Sequence, residues 1–82
     1  MEIVKLTEEL VTSLVKDKDL VAVKEFETDE YDTVLLQVMV ADSDMPRVIG
    51  RGGKTINAIR TIVQASSYIQ DNKTVKINVD SI

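Results

Sequence analysis

The 82-residue chain contains no cysteine and no histidine. Their absence removes disulfides, thiol catalysis, most zinc sites and any Ser-His or Cys-His dyad. A small domain without disulfides suits the cytoplasm. Aromatic residues are nearly absent: Phe26, Tyr31 and Tyr68 are the whole set. The core must therefore be built from Val, Ile and Leu, and the 44% hydrophobic content is ample for one. No apolar run approaches the ~20 residues of a membrane span. Glu2, Glu8 and Glu9 interrupt the opening segment, so it is not predicted to be a secretion signal. Proline occurs once, at Pro46, and glycine three times, at Gly50, Gly52 and Gly53.

One sign of charge is also missing locally. The net charge is −4, which by itself disfavours a nucleic-acid partner. Its distribution matters more than its sum. Residues 1–44 carry four Lys against twelve Asp and Glu, a balance of −8. Residues 45–70 contain Arg47, Arg51, Lys54 and Arg60 and no acid, a balance of +4. In residues 71–82 two Lys offset two Asp.

Apolar residues at Ile3, Leu6, Leu10 and Leu14, with Val11 and Val15, predict an amphipathic helix from Glu2 to Asp17. Glu2 and Lys5 stand in the acid-first order of a helical ion pair, and 16–19 reads as a solvated exit loop. A strand is predicted from Leu20 to Thr28, then a polar turn at 29–32 and a hairpin. Thr33 to Ala41 is the clearest strand, with Val34, Leu36, Val38 and Val40 on one face and Leu35 and Met39 on the other. Asp42 and Asp44 suit helix N-capping and solvation better than acid–base chemistry. Pro46 suits the first turn of a short helix ending at Gly50. A longer helix follows from Gly53 to about Tyr68. Its expected buried stripe is Ile56, Ile59, Ile62 and Val63, with Ala58 and Ala65 packing closely at its edges. A final strand is predicted from Thr74 to Val79. The order α-β-β-α-α-β describes one α+β domain over residues 1–82, two-layered, with helices on one face of a three-stranded sheet.

All the glycine lies between the two later helices. Gly50-Arg51-Gly52-Gly53 is a G-x-x-G turn that feeds the second helix, whose N-terminal N–H groups and partial positive charge suit a phosphate. Arg47, Arg51 and Lys54 add full charges beside it. Gly53-Lys54-Thr55 also looks like the end of a P-loop, but that pattern needs glycine at position 48, where this chain has Val48.

From Val48 through Arg60 the sequence VIGRGGKTINAIR resembles the KH domain family: an apolar pair, a basic G-x-x-G, then a helix reading x-I-x-x-I-R. The helix and hairpin ahead of this core resemble the type II, prokaryotic arrangement. The likeness is nearest to the small bacterial single-KH RNA-binding proteins. It implies a clamp on about four single-stranded nucleotides. By position, Gly50, Arg51, Gly52 and Gly53 would approach phosphates, aided by Lys54 and Arg47. Val48, Ile49 and Asn57 would border an apolar groove for the bases. It further implies an RNA chaperone or post-transcriptional regulator, linked to cell division and cell shape. Such a protein would form a homodimer, or a heteromer with a larger KH-containing RNA-binding partner, and need no cofactor or metal. The scarcity of aromatics agrees with that family and disfavours RRM- or OB-type platforms. Pro46-Arg47 departs from the family's usual Gly-Lys-like pair. Nothing in the sequence supports an enzyme. The alternative is a protein-interaction domain on the same fold, with RNA binding weak or lost, which the net acidity favours. Arg60 is open between RNA contact and solvation or pairing with an acid on the sheet.

Overall fold

The computed structural model describes residues 2–82. The elements are α1 (Ile3–Thr12), β1 (Val21–Glu27), β2 (Thr33–Val40), α2 (Met45–Ile49), α3 (Lys54–Gln70) and β3 (Thr74–Ser81), with 3-10 turns at Asp42–Asp44 and Arg51–Gly53. β2 is the central strand of a three-stranded sheet. It pairs antiparallel with β1, Val23 opposite Val38, and parallel with β3, Leu36 opposite Ile77. The alternation of β2 aims Val34, Leu36, Val38 and Val40 at the helices. There they meet Val11 from α1, Val48 from α2, and Ile56, Ile59 and Val63 from α3. Leu36, Val38, Val40, Val11, Val48 and Val63 are fully buried. Leu35 and Met39 lie half-buried on the other face.

α1 is shorter than its apolar spacing predicts. Glu2 is its N-cap: the carboxylate accepts from the N–H groups of Val4 (2.8 Å) and Lys5 (3.3 Å), so Glu2 serves the backbone rather than an ion pair with Lys5. At the other end the Lys18 ammonium donates to the carbonyls of Thr12 (2.8 Å) and Val15 (3.0 Å), which closes the helix early. The segment after it is not simply solvated. Its backbone is held by Asp44, whose carboxylate accepts from Lys16 N–H and Asp17 N–H, both at 3.0 Å. Asp44 is almost fully buried, so it is neither a solvated acid nor a side-chain cap of α2. These two N–H bonds, and then the charge and hydrogen bond of Arg47, outweigh burial and hold its carboxyl below the ordinary value of 3.8.

The inward stripe of α3 is Ile56, Ile59, Val63 and Ser67. Ile62 is 47% exposed, and Ala58 and Ala65 are exposed as well, contrary to their expected packing. Ser67 takes the core position because its hydroxyl finds a partner inside: it donates to the Lys73 carbonyl at 2.8 Å.

Candidate nucleic-acid interface

α2 and α3 meet at the glycine turn, and each glycine has a positive φ: +76° at Gly50, +63° at Gly52 and +80° at Gly53. The reasons for glycine differ. A Cβ on Gly50 would fall 2.8 Å from the backbone nitrogen of Thr55, so this position also needs close approach of two chain segments. A Cβ on Gly52 would meet nothing within 4 Å, so only its backbone angle favours glycine. Gly50 N–H donates to the Pro46 carbonyl at 2.9 Å and Gly53 N–H to the Gly50 carbonyl at 3.2 Å, which fixes the turn from both sides. Pro46 occupies the first turn of α2, where its missing N–H costs nothing.

Gly53 is the N-cap of α3 and no side chain caps that end. The seventeen-residue helix therefore presents its N-terminal dipole at the loop. Arg51 and Lys54 are exposed there, and neither makes an ion pair among the described residues. The fold thus concentrates backbone N–H groups, a helix dipole and two free cations on one exposed turn. Asn57 is exposed one helical turn further on.

The other candidate residues fall elsewhere. Val48 lies in the core and offers no surface, so of the apolar pair only Ile49, half-buried, borders the loop. Arg47 is tied to Asp44 (3.1 Å) and to the Ser43 carbonyl (3.2 Å), which leaves its charge largely answered. Arg60 pairs with no acid. Its guanidinium donates to Asn57 Oδ1 and to the Ile77 carbonyl on β3, both at 3.0 Å, so its charge faces only neutral acceptors. Asp44 is the residue whose role pattern reading missed: it was read as a cap, and its carboxylate instead holds the backbone of Lys16 and Asp17.

The chain is similar to RNA-binding protein KhpA of Clostridium acetobutylicum, at 35% identity over 75 residues that cover 92% of this chain and 96% of that one. With RNA-binding protein KhpA of Bacillus subtilis the identity is 39% over 70 residues, covering 85% of this chain and 83% of the relative. Among solved structures, Era in complex with MgGDPNP and nucleotides 1506–1542 of 16S ribosomal RNA superposes with a TM-score of 0.74 at 16% identity. That match takes in 98% of this chain but only 30% of Era, and at such identity it speaks for the fold alone. The family model described as KhpA/KhpB, KH domain, matches residues 4–80. The chain, a two-layer α+β domain with its G-x-x-G turn between α2 and α3, belongs to the KhpA/KhpB KH-domain family.

Proposed function

We propose that the protein binds single-stranded RNA by clamping its backbone on the turn from Gly50 to Gly53. The observation that carries this is the loop itself: three positive-φ glycines at an uncapped helix N-terminus, flanked by the unpaired charges of Arg51 and Lys54. Phosphates sit against the Gly52 and Gly53 backbone, Arg51 and Lys54 neutralise them, and Ile49 and Asn57 border the bases. Arg47 acts through Asp44, holding the entry to α2, more than on the RNA. The names of the KhpA relatives support the reading. The role is that of a binding protein, an RNA chaperone or post-transcriptional regulator, and not of an enzyme.

The protein also associates through α3 in this reading. Ala58, Ile62, Ala65 and Ile69 are all exposed and recur at four-, three- and four-residue spacing, an apolar seam suited to another helix. It is a stronger candidate than Leu35 and Met39, which are half-buried. The partner is a second copy or a larger KH-containing RNA-binding protein. This seam also favours the second reading, a protein-interaction domain with little RNA affinity.

Titration with short single-stranded RNA at two salt concentrations separates the two. Micromolar-order binding is expected, weakening with log salt at a slope of about −0.7 per phosphate for about two to four phosphates. No binding at low salt would support the interaction domain, and a slope equivalent to about eight phosphates would require a basic surface other than this loop.

A further inference from the structure

α3 has a third face besides its core stripe and the side that borders the glycine turn. Ala58, Ile62, Ala65 and Ile69 lie within about 60° of one another around the helix axis, and Asn57 lies about 110° away from them. A partner on this face therefore leaves the turn open. Ile69 is 85% exposed and Ile62 47%, so both large side chains meet water that a contact would displace. The seam carries no charge, and neither do Thr61 and Ser66 beside it. In a chain of net charge −4, a neutral face is where two copies meet with least repulsion.

The seam also matches itself when reversed. A two-fold axis through its midpoint, between Val63 and Gln64, sets Ala58 opposite Ile69 of the second copy and Ile62 opposite Ala65. Each large side chain then fills the space left by a small one. A parallel pair would set Ile62 against Ile62 and Ala58 against Ala58, crowding one level and leaving a gap at the next. Built on four apolar residues a side, the contact is well short of the roughly 20–30 residues a side of a standard interface. The pair is therefore weak by itself and gains from anything that ties the two copies together.

Antiparallel packing sends the two glycine turns to opposite ends of the pair. α3 starts at Lys54, so at about 1.5 Å per residue each turn lies about 14 Å from the midpoint and the two about 28 Å apart along the helix axes. We propose, resting on the RNA-binding reading above, that two copies joined through this seam form one bivalent clamp. It holds two single-stranded segments about 28 Å apart and, because the axis is two-fold, running in opposite directions. That is the polarity two strands need in order to pair, so the joined copies bring complementary segments together where one copy only binds.

The test uses an RNA of about four nucleotides, the span of one clamp, and RNAs in which two such segments are joined by an uncharged ethylene-glycol spacer of increasing length. The parent is expected to bind a joined RNA about tenfold more tightly than the single segment once the spacer reaches across both turns, with two protein copies per RNA by sedimentation. Ile62→Asp should bind the single segment as the parent does and lose the gain. Ala65→Ile, which sets two isoleucines face to face, should lose it as well. The double variant Ile62→Ala, Ala65→Ile should recover it, because the swap restores one large and one small side chain at each level. A gain that survives Ile62→Asp, or one that the swap does not recover, would overturn the antiparallel seam. So would a complex of one copy per joined RNA at every spacer length, which would give the seam to a different protein while the single clamp stands. No binding of the single segment at low salt would overturn the RNA-binding reading as well.

Discussion

The carboxylate of Asp44 accepts from two backbone N–H groups on the segment after α1 and from the Arg47 guanidinium on α2. One buried side chain thus ties the entry of the binding loop to the N-terminal helix. Because its folded pKa lies below its ordinary value of 3.8, it stabilises the fold fully above that pH. The contribution is lost as pH falls through the lower folded value. Asp44→Asn keeps one oxygen, cannot serve both N–H groups, and turns an amide toward one of them. The variant should have a lower denaturant midpoint than the parent at pH 7. The difference between the two should shrink as the pH is taken from 3.8 down through the lower folded value, where the folded parent loses its own carboxylate. Midpoints measured across that range check this, and a difference that stays constant with pH would contradict it. Asp44 was visible in the sequence only as a residue type that suits helix starts. A bond to backbone 27 and 28 residues away is fixed by packing, and no local pattern records it. The glycines are the opposite case. Their clustering announced a turn of positive φ, and all three have it.

α3 shows how far a periodic pattern can be read. Its 3.6-residue repeat marked a helix, and Ile56, Ile59 and Val63 do face the sheet. Ile62 lies about 60° around the helix from Ile59 and was grouped with them because it is apolar. The actual axis of the stripe runs on through Ser67, a polar residue that no apolar pattern marks and that the Lys73 carbonyl draws inside. Displacing Ile62 from the stripe leaves an exposed seam with Ala58, Ala65 and Ile69. A charge at its centre should weaken association without unfolding the domain, since the side chain is already 47% exposed. Ile62→Asp is expected to raise the dissociation constant of the self-associated form about thirtyfold, the equivalent of about 2 kcal/mol for a central apolar contact. Analytical ultracentrifugation over a concentration series checks it. An unchanged dissociation constant, or a parent that is monomeric throughout and recovers no partner from cells, would remove the seam.

On the scale of the whole molecule, charge and fold divide the surface. The residues that give the −8 balance build α1, the β1–β2 hairpin and their connections, while the +4 stretch builds α2, the glycine turn and α3. In an acidic protein the turn is then where exposed cations meet an open backbone. The layering of the fold was legible, because each strand and helix carries its own period. The division of labour among the basic residues was not, because Arg47, Arg51 and Arg60 are alike in sequence and differ only in what they reach. The decisive measurement is the RNA affinity of the double variant Arg51→Asp, Gly52→Asp. It places two negative charges where a phosphate would lie, at positions exposed to solvent and outside the core. The side chain added at position 52 enters open space, so the cost is that of the positive φ, about 1–2 kcal/mol. The double variant should keep the parent's circular dichroism and lose most of its affinity for single-stranded RNA. A folded variant that binds RNA as tightly as the parent would contradict the clamp.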